Sequence, residues 1–413
     1  MHILWLKTEL LHPVDKGGKI RTFQTLRHLK AQHRVTYLCL DDGSAAPDAE
    51  GLAEEYCHEL IRIPFAASQK GTSGFYADLA RNVFSPLPYA VARYRSAAMR
   101  DAIRRAVRER SVDLVICDFL TPSINLPRDL GLPAILFQHN VEAAIWERHA
   151  SVARSAVTRT YLREQWRRMR AFERDECHRF DHVIAVSDVD RETFRQQYGV
   201  TTVSAVDTGV DTDFFHPSGT VALQPREIAF TGSMDWMPNE DGIAWFVREV
   251  LPIVRRDVPD ATLSIVGRNP TATVRALGTV APGIVVTGTV ADIRPYLERA
   301  AAIIVPLRVG GGTRLKIFEA MAMERPIVST TIGAEGLPVT DGVDIRIADD
   351  ASGFAAAIVS LLHDATQGAR LGAAAARQVR AQFGWPKVTE QFADICVATV
   401  EQVRRRQAAE RAA

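Results

Sequence analysis

Short runs of β-branched and aliphatic residues alternate with longer stretches of helical spacing along nearly the whole chain. In the first half the runs fall at residues 3–6, 35–40, 61–65, 113–117, 134–137, 183–186 and 203–206. Several are apolar throughout instead of alternating, the pattern of parallel strands covered on both faces. Between them the spacing turns helical. Over residues 19–32, Ile20, Phe23, Leu26 and Leu29 recur every three residues, as on one face of a helix. Repeated strand–helix–strand units predict an open, doubly wound parallel sheet. Residues 211–227 (DTDFFHPSGTVALQPRE) interrupt the rhythm, which restarts at 228–231, 262–266, 284–286, 302–305, 327–329 and 345–347. Helical spacing dominates from Gly353 onward, broken at 383–386, where Pro386 suits the first turn of a last helix. The expectation is an α/β chain with doubly wound domains at 1–210 and 228–385, a linker at 211–227 and a terminal helix at 386–413. Two such sheets imply a cleft, with ligands at the carboxyl ends of the strands.

Composition narrows the class. A chain of 413 residues with 47% hydrophobic and 24% charged positions has ample core for two domains or more. Lys+Arg 50 against Asp+Glu 49 leaves a net charge of +1, so no overall field recruits nucleic acid. The five cysteines are scattered with no CxxC spacing, which argues against a disulfide framework or a structural zinc site and fits a reducing compartment. No apolar run approaches the roughly 18 residues of a membrane span, and Lys7 and Glu9 interrupt the place of a signal peptide's apolar core. A cytoplasmic, multidomain protein is expected.

The most informative stretch is VPLRVGGGTRLKIFEAMAMERPIV, residues 305–328. A strand ends at Pro306, Gly310, Gly311 and Gly312 follow, and a helix is expected to open with Thr313 as its cap. Arg314 and Lys316 then fall in a first turn, where cations oppose the helix dipole. Two cations beside free N–H groups call for an anion, most simply a phosphate or pyrophosphate. Glu319, one turn deeper, can accept hydrogen bonds from ribose hydroxyls. Gly17 and Gly18 open an earlier helix in the same way, with Lys19 and Arg21 in its first turn. At other strand ends stand His139 with Asn140 and Glu142, then Gly232, Ser233 and Asn239, then Gly267 and Arg268. Gly288, Thr289 and Val290 offer backbone groups able to read a base edge. Asp211-Thr212-Asp213 spells DxD, but an acid-rich cap is the commoner use, and no metal site is expected.

Taken together, these residues resemble glycosyltransferase family 4, the retaining nucleotide-sugar enzymes of the two-Rossmann GT-B fold. The resemblance rests on Gly17-Gly18, His139, Val186-Ser187, and Thr208-Gly209-Val210-Asp211 with Phe215. It continues through Phe230-Thr231-Gly232-Ser233, Val266-Gly267, and Glu319-Ala320-Met321-Ala322 followed by Pro326-Ile327-Val328. The opening helix, GGKIRTFQTLRHL, is similar to a bacterial subgroup linked to exopolysaccharide systems. The resemblance implies two Rossmann-like sheets facing a central cleft, an acceptor-side first domain, a donor-binding second domain, and a C-terminal helix packed back on the first. It implies transfer of a sugar from a nucleoside-diphosphate donor to a glycan, lipid-linked or other hydroxyl acceptor, with no metal or other cofactor. Within it, Arg314 and Lys316 meet the diphosphate, Glu319 the ribose, Gly288 to Val290 the base, and His139 the sugar.

Two departures stand out. The family often has a pair of glutamates ending at the position of Glu319, and the place of the first is Gly311 here. It also often carries Arg and Lys where this chain reads Met234 to Asn239. A nucleotide-sugar epimerase, a sugar phosphorylase and an inactive nucleotide-sugar-binding protein therefore remain as alternatives. Residues 148–179 are rich in arginine with Tyr161, Trp166 and Phe172 between. They read as a solvated helix face with core aromatics, or as a surface for an anionic membrane.

Overall fold

The computed structural model describes residues 1–412 apart from 15, 16, 67, 69, 70, 154 and 310–314. The chain forms two compact units, Met1–Asp207 with Val388–Ala413, and Thr208–Lys387. Among the described residues the first unit holds seven strands: β1 His2–Lys7, β2 Arg34–Asp41, β3 Glu59–Pro64, β4 Leu114–Asp118, β5 Ala134–Phe137, β6 His182–Ala185 and β7 Val203–Ala205. They lie in the order β3-β2-β1-β4-β5-β6-β7, each neighbouring pair parallel. β1 and β4 are buried at every position, which is why their sequences do not alternate. Leu4 and Leu6 enter one core with Met99 and Ile103. From the other face of β1, Trp5 meets Phe392 at 5.8 Å between ring centroids, and Phe392 also meets Phe137 at 5.0 Å. Phe392 belongs to the last helix, Trp385–Ala412, which is further tied to this unit by Arg404 to Asp113 and by Arg406 to Asp181.

The second unit repeats the plan with β8 Gln224–Thr231, β9 Thr262–Val266, β10 Ile284–Gly288, β11 Ala300–Val305, β12 Ile327–Ser329 and β13 Arg346–Ile347. Its order is β10-β9-β8-β11-β12-β13, again parallel throughout. Both sheets thus have the doubly wound order in which the chain starts in the middle, runs to one edge, and returns to the other side of the first strand. The switch points lie between β1 and β4, and between β8 and β11.

Residues 211–227, expected as a linker, belong to the second unit in this structure. Val210 bridges Gly384, the Arg294 guanidinium lies 3.8 Å from the centre of the Phe214 ring, and Glu298 accepts from Ser218 Oγ and Gly219 N. β8 starts at Gln224 rather than 228. Pro and Gly in this segment make turns against a packed surface. Asp211, the first acid of the DxD triplet, accepts from the main-chain N–H groups of Asp213 and Phe214, the turn chemistry of an Asx cap.

At the β8/β9 ends two backbones touch. Gly232 N donates to Val266 O at 3.1 Å, and a Cβ on Gly267 would lie 1.7 Å from Gly232 O. Gly267→Ala is therefore expected to cost at least ~3 kcal/mol, the upper range for overpacking, as measured by urea unfolding. Gly288 has φ +70°, and no described atom lies within 4 Å of where a methyl group would sit, so Gly288→Ala should cost only about 1–2 kcal/mol of backbone strain. Equal costs for the two variants would refute the close-approach account.

Candidate active site

The first switch point is filled by a buried charge network. β1 ends in Lys7, 1% exposed, and β4 in Asp118, fully buried. The Lys7 ammonium donates to Asp118 Oδ2 at 2.8 Å. Trp5 Nε1 and Thr22 Oγ1 donate to the same oxygen at 3.0 and 2.6 Å. Thr22 lies on the helix Gly17–Leu29, so the carboxylate ties that helix to both central strands. The Lys7 ammonium also lies 4.4 Å from the centre of the Phe119 ring. Removing one partner from such a buried pair typically costs ~3–5 kcal/mol, because the other charge is left uncompensated.

His139 extends the network. Its ring stacks on Phe119 at 3.8 Å between centroids, and a Cβ on Gly18 would lie 2.8 Å from the Phe119 ring. Nε2 of His139 is 2.7 Å from Asp118 Oδ1, and Nδ1 is 3.1 Å from Nη1 of Arg21. A guanidinium only donates, so Nδ1 is the bare nitrogen and the ring proton sits on Nε2, toward the carboxylate. Burial lowers the His139 pKa to about 3; Asp118 opposes the shift, while Arg21 and Lys7 reinforce it. The imidazole is neutral at neutral pH. Burial alone would raise Asp118, but Lys7 and its hydrogen bonds outweigh that and hold it well below the usual carboxylate range. Arg21, buried, is pushed down to about 10 despite Asp118, Asp190 and Asp207 nearby. The first-turn cations of this helix thus meet acids of the protein itself; Lys19 lies 3.5 Å from Glu9.

The second switch point is organised around Lys316, on the helix Leu315–Ala322. Its ammonium donates to Asn239 Oδ1 at 2.7 Å and lies 4.4 Å from the centre of the Phe230 ring. Asn239 Nδ2 in turn donates to Ser233 O at 2.9 Å. A side chain on Gly232 would collide with this arrangement, its Cβ 2.8 Å from Lys316 Nζ and 2.7 Å from Asn239 Nδ2. Arg268 Nε donates to Ser233 Oγ at 3.0 Å, and Ser233 Oγ donates to Asp235 at 2.7 Å. Burial raises Glu319 to about 7 against the pull of Lys316, so near neutrality its carboxyl can both donate and accept.

Residues 16–214 match the family described as Glycosyltransferase Family 4, and residues 225–364 match the one described as Glycosyl transferases group 1. The chain belongs to the family 4 glycosyltransferases. This glycosyltransferase is 21% identical over 372 residues to an uncharacterized 44.6 kDa protein in the cps region of Klebsiella pneumoniae, covering 87% of this chain and 90% of that protein. It is 29% identical over 217 residues to the phosphatidyl-myo-inositol mannosyltransferase of Mycolicibacterium smegmatis, covering 51% and 55% of the two chains. Its fold is similar to that of Anabaena HepE, solved in complex with UDP and glucose, with TM-score 0.64 and 14% identity over 96% of this chain and 100% of that one.

In the glycosyltransferase, Ser233, Asn239, Lys316 and Arg268 form one hydrogen-bonded set, with Gly232 close against Asn239 and Lys316 and Gly267 packed on Gly232. Gly18 and His139 come together in the first unit. Asn140 and Glu142 follow His139, and the Asn140 side chain hydrogen-bonds the Glu142 carboxyl, which burial raises to about 7. Gly17 opens its helix. Gly288 ends β10 at the edge of its sheet, followed by Thr289 and Val290, two strands away from Lys316's switch point. Gly311, Gly312, Thr313 and Arg314 lie outside the described residues. Asp118 and Lys7 were not expected at all, yet they hold His139 in place. The signal was available in DLVICDF, residues 113–119, where an acid closes an otherwise apolar strand.

The depressed His139 pKa makes stability pH-dependent in a definite direction. Below about 6.5 an unfolded histidine takes up a proton, while the folded one stays neutral down to about 3. Its share of the stability is therefore lost as pH falls through that window, at up to ~1.4 kcal/mol per pH unit. Unfolding free energies of the parent and His139→Gln between pH 7 and 4.5 should converge as pH falls; parallel curves would contradict the buried neutral ring.

Proposed function

We propose that the chain is a retaining glycosyltransferase that moves a sugar from a nucleoside-diphosphate sugar to a glycan, lipid-linked or other hydroxyl acceptor in polysaccharide or glycoconjugate synthesis, without a metal. The observation that carries this reading is Lys316 in the first turn of a helix at a doubly wound switch point, held beside Gly232 by Asn239. A cation there opposes the helix dipole, and together with the N–H groups of a helix start it suits a diphosphate. HepE, a neighbour in fold, is solved with UDP and glucose. As the glycosidic bond breaks, negative charge builds on the departing diphosphate, and a fixed cation stabilises it more than it stabilises the intact donor. Arg314 adds a second cation in this reading, Gly311, Gly312 and Thr313 the phosphate-side backbone, Glu319 the ribose contact, and Gly288, Thr289 and Val290 the base contact. With both ring nitrogens of His139 engaged by Asp118 and Arg21, the main chain of His139 and Asn140 meets the sugar, and the ring locks that turn.

The five cysteines are free thiols, all buried, which supports a reducing, cytoplasmic setting. Among the described residues no helix is long and apolar enough to cross a membrane. We place a peripheral contact with anionic lipid on the first unit. Trp166 and Phe172 pack into the core, as a solvated helix face requires, but Phe84 is 91% exposed, and Tyr76 and Val83 on the helix before it are exposed as well. The arginine-rich helix Ala156–Cys177 holds this segment through Arg168, which donates to Asn82 O and Val83 O. Phe84→Ser should weaken flotation with phosphatidylglycerol vesicles at low salt, and unchanged flotation would remove the contact.

A thermal-shift panel of UDP, GDP, ADP and CMP sugars tests the donor reading. The matching donor at 100 times its dissociation constant should stabilise by about 2.7 kcal/mol. Lys316→Ala should abolish that shift and lower kcat/KM by roughly 10²–10³-fold, the range for one well-aimed electrostatic donor. No shift with any donor, or an undiminished shift in Lys316→Ala, would overturn the assignment. Nucleotide release that requires an acceptor separates a transferase from an epimerase, and failure with inorganic phosphate separates it from a phosphorylase.

A further inference from the structure

The helix Glu142–Val152 starts directly after the turn bearing His139 and Asn140, yet its own cap residue, Val141, supplies no side-chain hydrogen bond. The cap comes from another helix. Glu173, on Ala156–Cys177, is fully buried and accepts from Glu142 N at 2.7 Å and Ala143 N at 3.0 Å. Tyr198 Oη donates to it at 2.8 Å, and Gln138 Nε2 at 3.1 Å. One carboxylate therefore grips both sides of the turn, Gln138 before His139 and the first two helix N–H groups after it.

We propose that Glu173 is a positioning residue of the transfer reaction, fixing the turn at 138–141 so that His139 and Asn140 meet the sugar. The proposal rests on the role given to that turn above. Oε1 takes the Gln138 and Glu142 donors and Oε2 takes the Ala143 and Tyr198 donors. All four acceptor positions are filled by donors, so the intact cap needs the ionised form. Burial raises Glu173 to about 7, while the Ala143, Tyr198 and Glu142 hydrogen bonds pull it down and the Glu142 charge pushes it up. As pH falls through that value, protonation takes away an acceptor position and loosens the turn. The other titratable and charged groups facing it are Glu142, Tyr198 and Cys177, with Glu176 and Arg170 behind them. Burial keeps the Tyr198 hydroxyl and the Cys177 thiol protonated across this range. Glu142 titrates near the same pH, so Glu142→Gln is the necessary control.

Steady-state kinetics of the full chain with donor and acceptor, from pH 5.5 to 8.5, test this. Glu173→Gln has the same shape but presents an amide to donors. It should lose roughly 10- to 100-fold in kcat, the scale of a small misplacement, with donor KM and the donor thermal shift unchanged. It should also lose the acid limb of kcat near pH 7. Glu173→Asp should recover part of the rate and retain a limb. Glu142→Gln should keep the limb, moved to lower pH by loss of a neighbouring negative charge. Tyr198→Phe removes one donor while leaving the ring on Phe194, and should move the limb to higher pH; it decides the matter if Glu173→Gln does not fold. Parental kcat in Glu173→Gln, or an unmoved limb in Tyr198→Phe, would overturn the proposal. His139→Ala, which removes the ring that locks the turn, separates the two readings. If it keeps parental kcat, the role of the turn falls; if it loses activity and Glu173→Gln does not, only the positioning role falls.

Discussion

A lysine cannot sit fully buried at the end of a central strand unless an anion meets it there. In this chain that requirement joins β1 to β4. The two strands are neighbours in the sheet but separated by about half of the first unit's sequence, and the Lys7–Asp118 pair closes the gap between them at the switch point. Trp5, Thr22 and His139 then take positions set by the same carboxylate. The seat of the Gly17–Leu29 helix and the placement of the His139 ring are both tied to this single desolvated acid.

The second unit meets the same topological problem with different means. Its switch point carries no comparable buried ion pair among the described residues; space is made by glycine instead. Gly267 lets β9 bring its backbone against Gly232, and Gly232 lets Lys316 and Asn239 come within reach of β8. One site is rigid because its charges are internally matched. The other is narrow because side chains are missing where backbone must approach. The contrast suits the division of labour in the proposed reaction, in which the second unit presents Lys316 to the diphosphate and the first keeps its charges for itself.

How much of this could be read from the sequence depends on how local each cause is. Strand runs such as 3–6 and 262–266 were readable because burial on both faces writes an unbroken apolar signature. The set at Gly232, Ser233, Asn239, Gly267, Arg268 and Lys316 was readable because glycines and cations at strand ends are unusual enough to stand out. Residues 211–227 misled because Pro and Gly mark turns whether or not the turns are packed, and here Glu298 and Arg294 hold them down. Glu173, and the partners that Asp118 meets, were hidden for another reason. Each acts on residues distant in sequence, Asp118 on Lys7 and Glu173 on Gln138 and Tyr198, and no local spacing records such a meeting. His139 was expected to meet the sugar, and the structure shows its ring held by Asp118 and Arg21.

The chain enters its first unit at Met1 and returns to it only at Val388. Phe392 rests on Trp5 and Phe137, and Arg404 and Arg406 reach the acids that flank β4 and β6. As the nascent polypeptide leaves the ribosome, the amino-terminal sheet must wait with that aromatic face uncovered until the whole of the second unit, Thr208–Lys387, has been made. A chain cut short before Phe392 would leave Trp5 and Phe137 without the ring that covers them.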